Sequence, residues 1–142
     1  MAFDRERHHR QSIRLDGYDY SLSGANYITV CTYQRECLFG RIVDDQVSRN
    51  ALGAIVQEEW LQTATVRSDV WVDAFIVMPN HVHGILILSG GEGRVPEPQP
   101  RLGEYTHPQR PAPSSICAIV GQFKAAATRR INSIRGTPGA PV

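Results

Sequence analysis

No apolar run in this chain approaches the roughly 18 residues that a membrane-spanning helix requires, so no transmembrane segment is expected. The opening M-A-F-D-R-E-R-H-H-R lacks the apolar stretch of a secretory signal. Cysteine is scarce and odd in number, with only Cys31, Cys37 and Cys117, and the first two do not form a C-x-x-C pair. That argues against a disulfide framework, gives thiolate zinc little support and points to a reducing, cytoplasmic setting. No internal repeat is evident. Neither sign of charge dominates, for the net charge is +1. Its distribution is nevertheless uneven. Residues 1–14 carry four arginines against two acids, and residues 94–142 carry seven basic residues against two acids, while 15–93 carry four arginines against ten acids. The two ends could together present a basic surface to a polyanion. Scattered charge on an ordinary soluble surface is the plainer account of the same composition.

What is present describes one domain over residues 1–142. Hydrophobic residues make up 42% and charged residues 20% of the chain, as in globular proteins. A chain of this length buries about two thirds of its unfolded surface, enough for a core. Its most informative stretch is Phe75 to Leu88, F-I-V-M-P-N-H-V-H-G-I-L-I-L. Phe75, Ile76 and Val77 read as the end of one strand, and Ile85 to Leu88 as another, with Pro79 marking the break because it cannot donate to a sheet ladder. Side chains alternate along a strand, so His81 and His83 point one way and Val82 the other. Two imidazoles on one side of a strand can hold one cation. They can also be hydrogen-bonded histidines with no ion, although burying both unpartnered costs roughly several kcal/mol. Spacing alone does not choose the metal: imidazole suits zinc, copper, nickel and iron, and oxygen ligands bring in magnesium or manganese. A zinc hydrolase built on H-x-H would want a further carboxylate or histidine close by. Asp73 precedes the motif, but glycine and aliphatics follow it.

Around this centre the chain reads in order. Residues 1–14, with Arg5, Arg7, Arg10 and Arg14, form a basic arm that orders on a partner, or a plain tail. Asn26–Thr32 is β-branched and aromatic, hence a strand, and Leu38–Val43 is a second, weaker one that turns at Asp44-Asp45. Asn50 is a good N-cap for a helix from about 50 to 64, with Leu52, Ile55, Val56 and Trp60 on one face and Glu58 and Glu59 facing out. Val70–Val77 returns to strand. Residues 89–113, which hold most of the nine prolines, predict a long flexible loop. A last helix starts at Ser114-Ser115 and carries Ile116, Val120, Phe123, Ala127, Ile131 and Ile134 on one face. Gly136 and Pro138 end it. Lys124 and Arg135 flank that face and Arg129 lies nearly opposite, so the helix has either a solvated basic side or one that touches phosphates. Strand, strand, helix, strand, strand, helix predicts an α+β sandwich, an antiparallel sheet with helices on one face. Tyr27 and Tyr33, in or beside a strand, read as packing residues.

Phe75–Leu88 resembles the V-M-P-N-H-x-H motif of the single-tyrosine HUH transposases, most closely the branch associated with repetitive extragenic palindromes. His8 to Leu15 with Gly17 to Tyr20 resembles that branch's opening segment. Thr29 to Thr32 with Cys37 to Gly40 fits it too, as do Phe123-Lys124, Arg130 to Asn132 and Arg135 to Gly139. The resemblance implies a ferredoxin-like HUH domain that cleaves and rejoins single-stranded DNA and binds hairpins as a homodimer. In that family two histidines and a third polar ligand hold Mg2+ or Mn2+, and His81 and His83 match the histidine positions. A tyrosine then attacks phosphorus, leaving a 5′-phosphotyrosine and a free 3′-hydroxyl. The resemblance places that tyrosine on a helix beyond the segment matched by Arg130–Gly139. None of the five tyrosines of this sequence matches it. The expectation is therefore a truncated domain, without its last helix, that binds DNA through Arg10, Arg14, Lys124, Arg129, Arg130 and Arg135. It should have impaired chemistry or act only as a hairpin-binding remnant.

Overall fold

The structure is a computed structural model that describes residues 19–89 and 115–142. The arm at 1–14 and nearly all of the predicted loop at 89–113 lie outside the described residues. Among the described residues, five strands and two helices follow in the order β1 (Gly24–Cys31), β2 (Gly40–Val43), β3 (Gln46–Arg49), α1 (Ala51–Thr65), β4 (Val70–Met78), β5 (His81–Leu88) and α2 (Ile116–Arg135). A single 3₁₀ turn at Tyr33–Arg35 follows β1.

The fold is α+β with antiparallel strands, as the sequence predicts, but the sheet differs in two respects. The main sheet has three strands in the order β1-β5-β4, so the strand bearing His81 and His83 is central, flanked on both sides. The expected second strand does not join it. β2 turns back at Asp44-Asp45, both at positive φ, and pairs with β3 as a separate hairpin. β3 escaped the sequence reading because Q-V-S-R is mostly exposed, so it has no buried face to write an apolar alternation.

The helices begin where their caps predict. Asn50 Oδ1 accepts from Gly53 N at 3.0 Å, and Ser115 Oγ accepts from Ala118 N at 3.3 Å. Gly136, in the left-handed region, closes α2. Both helices cover one face of the sheet. Along β5 the burial alternates strictly, with Val82, Gly84, Leu86 and Leu88 turned to the helices and His81, His83, Ile85 and Ile87 turned away. Trp60 of α1, fully buried, lies over Gly84 and meets Phe123 of α2 edge-on at 5.1 Å. Ile119, not Ile134, completes the buried stripe of α2; Ile134 is 63% exposed. Helical spacing identifies a face, not how far along the helix its partner extends.

In β4, Val72 pairs with Leu86 and Phe75 with Gly84, so Asp73 and Ala74 together oppose Ile85 in a bulge. The extra residue lets Val70 and Val77, at the two ends of the strand, both point into the core. Among the described residues no helix is long and apolar enough to cross a membrane.

Candidate metal centre

The turn before the histidines is clasped by the segment that follows β1. Pro79 and Asn80 form a two-residue connection between Met78 and His81. Thr32 N donates to Asn80 O at 2.9 Å and Phe39 N donates to Pro79 O at 2.9 Å. Asn80 Nδ2 donates to Arg35 O at 3.3 Å, which leaves Asn80 Oδ1 facing the other way. Thr32 Oγ1 lies 2.7 Å from Glu36 O and 3.1 Å from Asn80 O. Residues 32–39 therefore hold the turn that leads into the H-x-H strand, and rigid support of this kind is what a binding constellation needs.

His81 and His83 stand on the same open face, half-buried, with ring centroids 4.4 Å apart and planes 76° to each other. Each is held at Nδ1. His81 Nδ1 donates to Asn80 Oδ1 at 2.6 Å, since an amide oxygen can only accept. His83 Nδ1 lies 2.9 Å from Thr29 Oγ1, its cross-strand neighbour. With Nδ1 occupied in both rings, Nε2 is the atom left for a ligand, and an outer hydrogen bond of this sort orients metal-binding imidazoles. The chemistry of the pair thus fits a cation. Cys31 stands opposite His81 in the ladder. Among the described residues, however, no set of three His, Cys, Asp or Glu side chains converges on one ion position.

Partial burial, and then the neighbouring His83 imidazole, hold the His81 pKa below the ordinary histidine value. The folded chain therefore takes up this proton less readily than the unfolded one. The stability linked to His81 is present above the ordinary value and lost as pH falls through the lowered one. The same protons compete with a metal. Manganese affinity is expected to rise as pH climbs through the lowered His81 value, where that ring sheds its proton, and to level off above it. Calorimetric titration across that range checks it; a flat profile would place the ion elsewhere.

The basic residues expected at DNA are not gathered here. α2 lies on the far face of the sheet. Lys124 borders a cavity of about 450 Å3 between β1 and α2, lined by Val30, Val82 and Phe123, and Arg129 borders a groove between the helices. Arg130 instead bridges the two helices, donating to Glu58 Oε2 at 2.7 Å and to Glu59 Oε1 at 2.9 Å. Those glutamates face α2 rather than bulk solvent alone. Arg135 is exposed in the last turn of α2, and Arg10 and Arg14 lie outside the described residues. Thr29, Asn80 and Tyr27 lie around the pair; sequence reasoning gives Thr29 and Asn80 no role and reads Tyr27 as a packing residue. Asn80 was discoverable as the residue next to the motif; Thr29 and Tyr27 depend on a strand register that no local pattern shows.

Over 122 residues the chain is 39% identical to an uncharacterized protein of Haemophilus influenzae, a match spanning 85% of this chain and 67% of that one. The chain belongs to that protein's family. No established family profile matches it, and no solved structure does. The description of the Haemophilus relative names no activity, so a reading of function rests on the site itself and on the sequence motif.

Proposed function

We propose that this chain is a DNA-acting domain of the single-tyrosine HUH transposase type, with its sheet and helices forming part of that family's ferredoxin-like fold. The observation that supports it most is the imidazole pair on the central strand, turned to the open face with each ring anchored at Nδ1. Two imidazoles leave most of a Mg2+ or Mn2+ coordination sphere to oxygen ligands. A divalent ion bound there supplies Lewis-acid polarisation of a DNA phosphodiester. His81 and His83 hold it, while Asn80 and Thr29 set the two rings before any ligand arrives. The family reaction is single-strand cleavage and rejoining through a 5′-phosphotyrosine. No tyrosine within residues 1–142 matches the nucleophile, so the role assigned to these residues is metal-assisted binding of single-stranded or hairpin DNA, as a homodimer. Lys124, Arg129 and Arg135, on the helix side, would meet a different part of the DNA from the strand at the histidines.

A labelled hairpin oligonucleotide is expected to bind in the presence of manganese, with affinity falling as salt rises, because phosphate contacts release counterions. No covalent adduct should form. Affinity that is flat from low to moderate salt argues against DNA as the partner. A denaturation-resistant adduct at Tyr18, Tyr20, Tyr27, Tyr33 or Tyr105 would place the nucleophile inside this chain.

A further inference from the structure

Tyr27 does not behave as a packing residue. The residue is 69% exposed, yet its ring is stacked on His83, with centroids 5.5 Å apart and planes 23° from parallel. It stands on β1 two residues before Thr29, whose hydroxyl lies against the same imidazole. The next residue on that face of β1 is Ala25, whose methyl group takes little space. Across the ladder lie Ile85, opposite Tyr27, and Ile87, opposite Ala25. Beside the histidine pair, then, an upright aromatic ring borders a floor of small and aliphatic side chains. Such a floor cannot serve a phosphate, but a base can rest its edge there with its flat face against Tyr27.

We propose that Tyr27 is a stacking platform for the nucleobase adjoining the phosphate bound at His81 and His83. This rests on the reading that the site takes DNA, and adds to it the contact that recognises the strand. A base seated on Tyr27 extends the row of rings begun by His83. Bases within a duplex are already stacked on one another and are not available to it. Because every base has a π face, the contact tolerates sequence.

The test is equilibrium binding of single-stranded oligonucleotides to the full chain with manganese, for the unsubstituted protein, Tyr27→Ala and Tyr27→Phe. Tyr27→Ala is expected to weaken binding by about 5- to 100-fold and Tyr27→Phe by less than about twofold, since stacking needs the ring and not the hydroxyl. An abasic scan of the oligonucleotide should find one position whose loss costs the unsubstituted protein as much as Tyr27→Ala does, and costs that variant nothing further. Manganese affinity, measured alone, should fall less in Tyr27→Ala than DNA affinity does, because His83 keeps Thr29 at Nδ1; an equal fall in the two overturns the stacking contact. Unchanged DNA affinity in Tyr27→Ala, or a loss spread evenly over all abasic positions, overturns the stacking contact and leaves the DNA reading standing. If the unsubstituted protein binds neither manganese nor DNA, both fall together.

Discussion

With His81 and His83 both replaced by alanine, the protein is expected to keep its fold and lose manganese. Removing an outer partner of a metal ligand already costs 10- to 100-fold in affinity, so loss of both ligands should cost at least ~100-fold. Stability should change little, because neither ring is part of the core cluster between sheet and helices. Calorimetric titration with manganese, beside a urea melt, separates the two effects. Unchanged affinity in the double variant would mean that the ion sits elsewhere. A collapse of stability would mean that the rings are structural.

Gly84→Ala is expected to act in the opposite sense, on the fold first. A Cβ at Gly84 would lie 2.3 Å from Trp60 Cζ2 and 2.8 Å from Cε2. The indole is rigid, fully buried and meets Phe123 edge-on at 5.1 Å, so it cannot retreat without disturbing α2. Overpacking of this kind costs about 1–3 kcal/mol, and the closeness of this contact puts the cost near the upper end. Urea denaturation measures it. The same substitution made together with Trp60→Leu should cost much less, since the clash has lost its partner. Equal costs in the two backgrounds would show that the strand does not depend on that approach. Because Gly84 follows His83 directly, any shift of β5 that relieves the clash should also loosen the metal.

The glycine after the second histidine was visible in the sequence, but its reason was not, because Trp60 lies far away along the chain. The same division runs through the molecule. Helix starts at Asn50 and Ser115 were legible because capping is local, and so was the facing of His81 and His83, because alternation is local. The central place of β5 was not legible, and neither was the pairing of Thr29 with His83, 54 residues apart. Arg130 looked like a phosphate contact because its partners, Glu58 and Glu59, sit on another helix. Tyr27 reads as a packing residue because an aromatic residue in a strand usually is one. Only the register shows that it stands beside the histidines on the uncovered side.

The doubled position in β4 bears on how chain length can vary near this site. Asp73 and Ala74 share one place opposite Ile85. Deleting either would restore plain alternation, with Val72 and Phe75 still facing inward. A single-codon gap is therefore geometrically permitted in the middle of this strand. The same gap within β5, between Gly84 and Leu88, would swap the sides of every residue beyond it and push either the imidazoles or the core-facing leucines out of place. Shorter relatives that keep the histidine pair should carry their gap beside the site, at 73–74, rather than within the strand that bears it.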